Sequence, residues 1–257
     1  MGTFSRGVLS SFELHPMPKH VVLRMVSFLC LLTLTFSSMA KSKSTDEYLT
    51  EPSALVRYDS IDFGSVEKPN FEMFSLALAG YQQLKEDNKL IKQDILTLID
   101  FSKSANQKRL WIIDLKNNKV LKHTLVAHGR NTGEEYASKF SNTPESNQSS
   151  LGFYVTGSTY VGKHGTSLKL HGMEKGINDN AERRAIVMHA AEYVSESFIK
   201  RVGRLCRSQG CPAVPVEEHK EIIQTLANGT CLFIYFPDSC YTTQSKLLSS
   251  NQFSGRP

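Results

Sequence analysis

A cysteine at position 211 lies between a glycine and a proline, in the sequence Arg-Ser-Gln-Gly-Cys-Pro. Gly210 permits a backbone turn that a side chain would block, and Pro212 fixes its own φ angle and has no amide hydrogen to satisfy. Arg204 and Arg207 are close in sequence, and nearby positive charge favours a thiolate over a thiol. The pattern predicts that Cys211 is a nucleophile on a stiff turn; the alternative is a buried, inert cysteine.

A thiol nucleophile needs a base, and His189 is the strongest candidate. It ends the apolar run of residues 184–189 and is followed by two alanines, which places it at a sheet edge facing a cleft. Imidazole has the pKa needed to take a thiol proton near neutral pH. His171 follows a short strand-like run, precedes a glycine, and is a second candidate for that cleft. Four other histidines are interpreted as structural: His123, His128, His164 and His219.

The elements that carry these residues have the pattern of a mostly β domain over residues 108–241. Residues 109–127 form a predicted hairpin with its turn at Asn117 and Asn118. A polar loop follows at residues 129–150, and a short helix over 217–227 ends at an Asn-Gly pair. Further strands are predicted at residues 151–156, 167–170, 184–189 and 231–236. The expected fold class is mainly β with short helices (α+β).

Upstream of this domain we predict a polar tether over residues 41–68 and a helical segment over residues 69–107. Two amphipathic helices should make up the helical segment and pack on the domain that follows. Their apolar positions are Phe71, Phe74, Leu78, Tyr81 and Leu84, then Leu90, Ile91, Ile95, Leu98 and Ile99. Residues 242–257 are interpreted as a polar tail.

The first 40 residues have the parts of a secretory signal peptide. Lys19 and Arg24 precede an apolar run at residues 25–36, and small residues follow up to Ala40. The apolar run is short for a membrane span, so an uncleaved anchor is only the alternative. We therefore predict export, a mature start near Lys41, and an upstream extension before the natural start of the signal. Membrane contact is expected only through an uncleaved signal.

The composition limits the classes of protein to which the chain can belong. The chain has 257 residues, is 40% hydrophobic and 21% charged, and so has the composition of a globular protein. Its net charge of +5 is spread along the chain without a basic run that contains aromatic residues, so no nucleic-acid partner is expected.

In an oxidising compartment, the four cysteines that follow the predicted signal peptide allow three full disulfide pairings. The four are Cys206, Cys211, Cys231 and Cys240.

The region from about residue 150 to 241 resembles the catalytic domain of murein L,D-transpeptidases. The resemblance is to the branch whose cysteine motif reads Arg-Ser-x-Gly-Cys-Pro, and weaker likeness extends back to about residue 71. The segments that carry it are residues 150–156, 162–165, 167–172, 184–189, 193–196, 203–204, 207–214 and 232–238.

The resemblance implies a β-sandwich or barrel, preceded by a helical N-terminal segment, that acts on peptidoglycan stem peptides without a cofactor or metal. Cys211 matches the nucleophile that forms a thioester as D-alanine leaves, and His189 matches the base. The amides of Gly210 and Cys211 would form the oxyanion hole, and the carbonyl of Ala190 would orient His189. An amine on a second stem, or water, is the acceptor. A bacterial periplasm or cell envelope is the implied location.

Candidates for substrate binding are His171, Arg204, Arg207, Ser208 and Gln209. The arginines suit a substrate carboxylate, which a guanidinium binds through two hydrogen bonds. Better-known family members have a histidine where this chain has Gln209, and an arginine where it has Ala213. Because an amide cannot titrate, any acid–base role of that second histidine is lost or moved to His171.

Three other classes stay open. The first is a catalytically weak or inactive peptidoglycan-binding module. The second is a cysteine amidase or peptidase of the cell wall, although in those enzymes the cysteine precedes the histidine in the chain. The third is a structural zinc site at His189, Cys206 and Cys211, although the cysteine spacing lacks the usual tight pairing.

Overall fold

The computed structural model of the chain describes residues 54–163 and 165–249. The predicted signal peptide, the first part of the predicted tether, His164 and the last eight positions, 250–257, lie outside the described residues. Within the part that the structure describes, no helix is both long enough and apolar enough to cross a membrane.

Eight strands and six helices make up the described part of the chain. The strands are β1 (Ile95–Asp100), β2 (Leu110–Asp114), β3 (Lys119–Thr124), β4 (Gly152–Gly162), β5 (Gly165–Gly172), β6 (Val187–Ala190), β7 (Ala213–Val214) and β8 (Cys231–Tyr235). The helices are α1 (Ala54–Ser60), α2 (Phe71–Glu86), α3 (Glu196–Val202), α4 (Val216–Leu226), α5 (Ser239–Gln244) and α6 (Lys246–Ser249).

The strands form one sheet in the order β3-β2-β1-β8-β4-β5-β6-β7. Its two ends are joined just after β3, where Ala127 forms a bridge with Ala213 of β7 through hydrogen bonds of 2.9 and 3.3 Å. The sheet is therefore nearly closed on itself, and the prediction of a mainly β fold with short helices is confirmed. Barrel closure matters for function because it brings β7, which follows Cys211 directly, against the segment after β3.

The predicted hairpin is present as β2 and β3. The two strands pair antiparallel, with Leu110 opposite Thr124 and Asp114 opposite Lys119. The turn between them needs the left-handed conformation that asparagine tolerates, and Asn118 has φ 49°. The side chain of Asp114 accepts hydrogen bonds from the amides of Lys116 and Asn117 at 3.0 and 2.9 Å, which fixes the turn.

The prediction of a second helix in the N-terminal segment is wrong. Residues 95–100 form β1, which pairs antiparallel with β2 and parallel with β8. Five of its six residues are buried, since both faces of the strand are covered. A continuous apolar run of this length fits a buried strand as well as a helix, and here the neighbouring strands decided the outcome. The first predicted helix is confirmed as α2, whose N-terminus is capped by the side chain of Asn70.

The predicted tether and tail also need correction where the structure describes them. Residues 54–60 form α1, and the next residues bury Ile61 and Phe63 in the main core. At the other end, α6 buries Leu247 and Leu248. Both segments are polar in composition but contribute their few apolar side chains to packing, so they belong to the folded domain.

Candidate active site

The Cys211 turn is held by hydrogen bonds inside the turn itself. The hydroxyl of Ser208 donates to the carbonyl of Cys211 at 2.6 Å and accepts from the amide of Gly210 at 3.0 Å. Ser208 is buried, so its hydroxyl stabilises the turn, and the structure does not present it to a substrate. The Gly210 amide is also engaged, which differs from its expected place in an oxyanion hole.

Gly210 is a glycine for two physical reasons. Its φ angle is 120°, a conformation that L side chains rarely adopt. A Cβ at this position would lie 2.8 Å from the carbonyl oxygen of Gln148 and 3.0 Å from Cδ1 of Ile186. The loop before β4 and the segment before β6 therefore press against the turn from two sides.

The polar loop between β3 and β4 is hydrogen-bonded to the cysteine turn. Ser149 is fully buried, and its hydroxyl accepts from the amide of Gly129 at 3.0 Å and donates to the carbonyl of Gly210 at 3.1 Å. The amide of Ser208 donates to the carbonyl of His128, and the carbonyl of Ser208 accepts from the amide of Arg130 in the same loop. These hydrogen bonds fix the position and orientation of the cysteine relative to the loop.

His128 has a structural role in that loop, as predicted from the sequence. Its Nδ1 lies 2.8 Å from a guanidinium nitrogen of the buried Arg109, and its Nε2 lies 3.2 Å from the carbonyl oxygen of Gly133. Because a guanidinium can only donate, Nδ1 accepts and Nε2 carries the proton. Burial, with the charge of Arg109, lowers the pKa of His128 to about 4, so the ring stays neutral at physiological pH.

The thiol of Cys211 is partly buried between two backbone groups before β6. Its Sγ lies 3.5 Å from the amide nitrogen of Val187 and 3.6 Å from the carbonyl oxygen of Ala185. Burial raises the pKa of the thiol above its usual range, while the Val187 amide and the charges of Arg184 and Lys163 oppose that rise. Burial thus outweighs the nearby charge, and the pKa of the thiol is raised where the sequence predicted a depressed one.

The arginines expected beside the thiol have their charges directed elsewhere. Arg204 and Arg207 both form ion pairs with Glu134, Arg204 at 2.8 Å. Arg207 also donates to the carbonyl of Gly133 at 3.1 Å. Neither is among the charges that act on the thiol, and Glu134 holds both guanidinium groups. The guanidinium charge acting on the thiol is that of Arg184.

His189 is buried in β6, next to the strand that follows the cysteine. It pairs with Ala213, two residues beyond Cys211, in the parallel β6–β7 ladder. Its Nδ1 lies 2.8 Å from the carbonyl oxygen of Ala190. A carbonyl can only accept, so Nδ1 carries the proton, and in the neutral form of the ring Nε2 is the basic nitrogen. This is the tautomer that a base acting through Nε2 requires.

The remaining predicted site residues lie at the surface. His171 is half-exposed in β5, and its Nδ1 is 3.8 Å from a carboxylate oxygen of Glu182. Gln209 is exposed at the tip of the cysteine turn. The structure thus groups Cys211, Gly210, Ser208, His189 and Ala190 by strand pairing and hydrogen bonds, and it gives His171 a separate partner.

Two residues that support the site were missed in the sequence. Arg184 begins the apolar run that leads to His189, but it follows Arg183, and the sequence does not show which of the two arginines faces the cysteine turn. Ser149 lies in a loop rich in serine and asparagine, and composition alone does not distinguish a buried serine from exposed ones. Both act from loops whose contacts are distant in sequence.

The four cysteines of the described region are free thiols: Cys206, Cys211, Cys231 and Cys240. Cys231 is buried in β8, and burial raises its pKa, so it has the character of an inert core residue. In the ranges 54–163 and 165–249, no three or more histidine, cysteine or acidic side chains are arranged to hold a metal ion.

A family model described as the L,D-transpeptidase catalytic domain matches residues 65–235 of the chain. The match covers most of the chain and includes every strand of the sheet and the cysteine turn. The chain therefore belongs to the L,D-transpeptidase catalytic domain family, and the predicted resemblance to that family is confirmed. A comparison with curated protein sequences finds no match.

Solved structures similar to this chain include several L,D-transpeptidases. One from Mycobacterium smegmatis is 11% identical with a TM-score of 0.34, and the match covers 56% of this chain and 59% of that one. One from Xylanimonas cellulosilytica is 12% identical with a TM-score of 0.32, covering 72% and 94%. The helical cell shape determining protein Pgp2 from Campylobacter jejuni is 12% identical with a TM-score of 0.37, covering 68% and 61%. This chain thus spans about three fifths of the M. smegmatis protein.

Proposed function

We propose that this protein is a cysteine acyltransferase that acts on peptidoglycan stem peptides. The donor is a tetrapeptide stem, whose third-residue carbonyl is attacked by Cys211 as the terminal D-alanine leaves. An amine of a second stem, or water, then resolves the thioester, giving cross-linking or carboxypeptidase activity. Family membership supports the reaction class, and the Nδ1–Ala190 hydrogen bond, which leaves Nε2 of His189 as the base, is the observation that carries it.

The proton follows a simple path in this reaction. His189 Nε2 takes the proton of the Cys211 thiol as the sulfur bonds to the substrate carbonyl carbon, and the imidazolium returns it to the departing amine of D-alanine. Because the carbonyl of Ala190 holds Nδ1, the ring keeps one orientation through both transfers. The same histidine then activates the amine or water that breaks the thioester.

The oxyanion of the tetrahedral intermediate needs backbone donors. The Gly210 amide donates to Ser208 within the turn, so the Cys211 amide is the donor of this pair that we assign to the oxyanion. Donors of this kind act at the position where charge develops, and loss of one typically reduces kcat about 10²–10³-fold.

We also propose that the protein is exported and works in the periplasm or cell envelope of a bacterium. The basic flank, short apolar run and small residues up to Ala40 support this location, and peptidoglycan is found there. N-terminal sequencing of protein recovered from the envelope should give a start near Lys41. Recovery of the intact apolar segment as an integral membrane species would contradict cleavage.

The competing proposal is a peptidoglycan-binding module without activity. The observation that favours it is the thiol of Cys211, whose pKa is raised by burial. A binding module would retain stem peptides without forming a covalent product.

The deciding experiment incubates the purified protein with a tetrapeptide stem, a pentapeptide stem or a carbapenem, and follows products and adducts by intact mass. We expect D-alanine release from the tetrapeptide and an acyl adduct on Cys211. Cys211→Ala should abolish the adduct, and His189→Ala should slow acylation about 10²–10⁴-fold. Gln209→Ala, which changes an exposed amide on the same turn, is the control and should cost much less. Turnover of the pentapeptide alone, or full activity in Cys211→Ala, would end this proposal.

A further inference from the structure

Arg184 is held rigidly against the back of the cysteine turn. Its guanidinium donates to the carbonyl of Ser141 at 2.7 Å and to the hydroxyl of Ser150 at 2.5 Å. It also donates to the hydroxyl of Ser146 at 3.2 Å and to the carbonyl of Gln148. Four neutral oxygens of one loop therefore fix the orientation of this side chain.

The charge of Arg184 is not cancelled by a partner. Its four acceptors are neutral, and across the described residues the ion pairs within 4.0 Å do not include it. Arg204 and Arg207, in contrast, share the carboxylate of Glu134. A cation paired only with neutral acceptors keeps its field, whereas one paired with a carboxylate has little effect beyond the pair.

Three contacts place this charge next to the thiol. A guanidinium nitrogen of Arg184 lies 3.4 Å from the position that a Cβ on Gly210 would occupy, and Gly210 directly precedes the cysteine. The residue after Arg184 is Ala185, whose carbonyl is bonded by the Cys211 thiol, and the amide of Val187 contacts the same sulfur. The guanidinium thus lies against the residue that precedes Cys211, and the backbone that follows Arg184 contacts the sulfur.

We propose that Arg184 is a positioning residue that stabilises the Cys211 thiolate with a permanent positive charge and anchors the loop beneath the cysteine turn. The proposal rests on the acyltransferase function proposed above, and it assigns to Arg184 the electrostatic role that the sequence suggested for Arg204 and Arg207. Its side chain does not touch the substrate; it acts through the acidity and placement of the thiol.

Other titratable groups face the thiol from neighbouring elements. Tyr154 of β4 and Tyr193 after β6 both have pKa values raised by burial, that of Tyr193 to about 12, so both are neutral at physiological pH. Lys163, between β4 and β5, is exposed, so solvent screens its charge. His189 in β6 is the base itself. Arg184 is the half-buried permanent cation in this group.

The test measures the acidity of Cys211 by its alkylation with iodoacetamide at a series of pH values, read by peptide mass. Arg184→Gln should raise the pKa of the Cys211 thiol by about one unit, which means roughly ten-fold less thiolate near neutral pH. Arg184→Lys keeps the charge and should stay close to the wild type. Arg183→Gln, the same change at the exposed neighbouring residue, is the matched control and should leave the profile unchanged.

An unchanged profile in Arg184→Gln, or an equal shift in Arg183→Gln, would overturn the proposal. If Arg184→Gln does not fold, Ser146→Asp replaces it, because a carboxylate there would pair with the guanidinium and cancel its charge. Ser146→Asn is its neutral control. Thiol pKa values that match among Ser146→Asp, Ser146→Asn and wild type would also refute the proposal.

Failure of this proposal can be separated from failure of the proposed function. Alkylation reports thiol acidity without any stem peptide or carbapenem, so it tests Arg184 even in an inactive protein. Acylation by the tetrapeptide tests the function itself. Normal acylation with an unshifted thiol profile in Arg184→Gln would reject the role of Arg184 and retain the acyltransferase.

Discussion

Replacement of Gly210 by alanine should disturb the cysteine turn through two separate effects. Its φ of 120° is a conformation that L residues rarely adopt, and strained backbone of this kind costs about 1–3 kcal/mol. The added Cβ would also lie 2.8 Å from the carbonyl oxygen of Gln148 and 3.0 Å from Cδ1 of Ile186. Overpacking typically adds about 1–3 kcal/mol, so the expected loss in the free energy of unfolding is roughly 2–6 kcal/mol.

Gly176→Ala is a control that separates the two effects. Gly176 has φ 83°, and no heavy atom lies within 4 Å of the position that its Cβ would occupy. Its replacement carries only the left-handed backbone penalty, which is about 1–2 kcal/mol. The difference between the two variants therefore measures the close approach of neighbouring atoms to the turn, together with the difference in backbone penalty between φ 120° and φ 83°.

The assay is urea denaturation of both variants, with alkylation of Cys211 measured on the folded protein. Gly210→Ala should lose more free energy of unfolding than Gly176→Ala, and it should change the alkylation rate of Cys211 because the turn must shift. Equal losses in the two variants, or an unchanged alkylation rate in Gly210→Ala, would refute the argument that this glycine sets the position of the thiol.

Three further predictions concern groups that support the site or the core. Ser149→Ala leaves the Gly129 amide and the Gly210 carbonyl without their buried partner, so urea denaturation should show a loss of about 1–3 kcal/mol per orphaned group, and acylation should slow. Burial raises the pKa of the Glu174 carboxyl; wild type should therefore lose stability relative to Glu174→Gln as pH rises through the folded pKa, and identical pH profiles would contradict this. Leu248 is only 4% exposed, so Leu248→Ala should lower the free energy of unfolding by about 2–5 kcal/mol in the same urea assay. A loss under about 0.5 kcal/mol, which is typical of surface positions, would restore the interpretation of this segment as a tail.

The sequence was most informative where local patterns and turn chemistry agreed. The helical spacing of Phe74, Leu78 and Tyr81 predicted α2, and the Asn-Asn pair predicted the turn of the β2–β3 hairpin. Cys211 and His189 were predicted as site residues because glycine, proline and the end of an apolar run mark unusual backbone positions. These signals depend on residues within a few positions of one another.

Features that depend on distant contacts were not predictable in this way. The run around Leu98 is apolar on all sides, and only pairing with β2 and β8 makes it a strand. The orientation of Arg184 is set by the loop over residues 141–150, and the charges of Arg204 and Arg207 are set by Glu134. Charge proximity in sequence gave the wrong arginines because the hydrogen-bonding partners lie in another loop.

The short C-terminal helices were missed for a different reason. Each is six residues or fewer, too short for a periodic pattern to be recognised. A signal did exist, because Asp238 accepts hydrogen bonds from the amides of Cys240 and Tyr241 at 2.8 and 3.1 Å, as an N-cap does. The sequence Pro-Asp-Ser ahead of a mixed segment was therefore more informative than its polarity suggested.

The position of β8 in the sheet has a consequence for the order of folding. This strand lies between β1 and β4 and comes last among the strands in the chain. Until residues 231–235 have been synthesised, β1 and β4 lack the strand that pairs with both of them. Long-range pairing of this kind slows folding, and open edges promote association between chains. A chain that extends past β4 but ends before Cys231 therefore carries two unpaired strand edges.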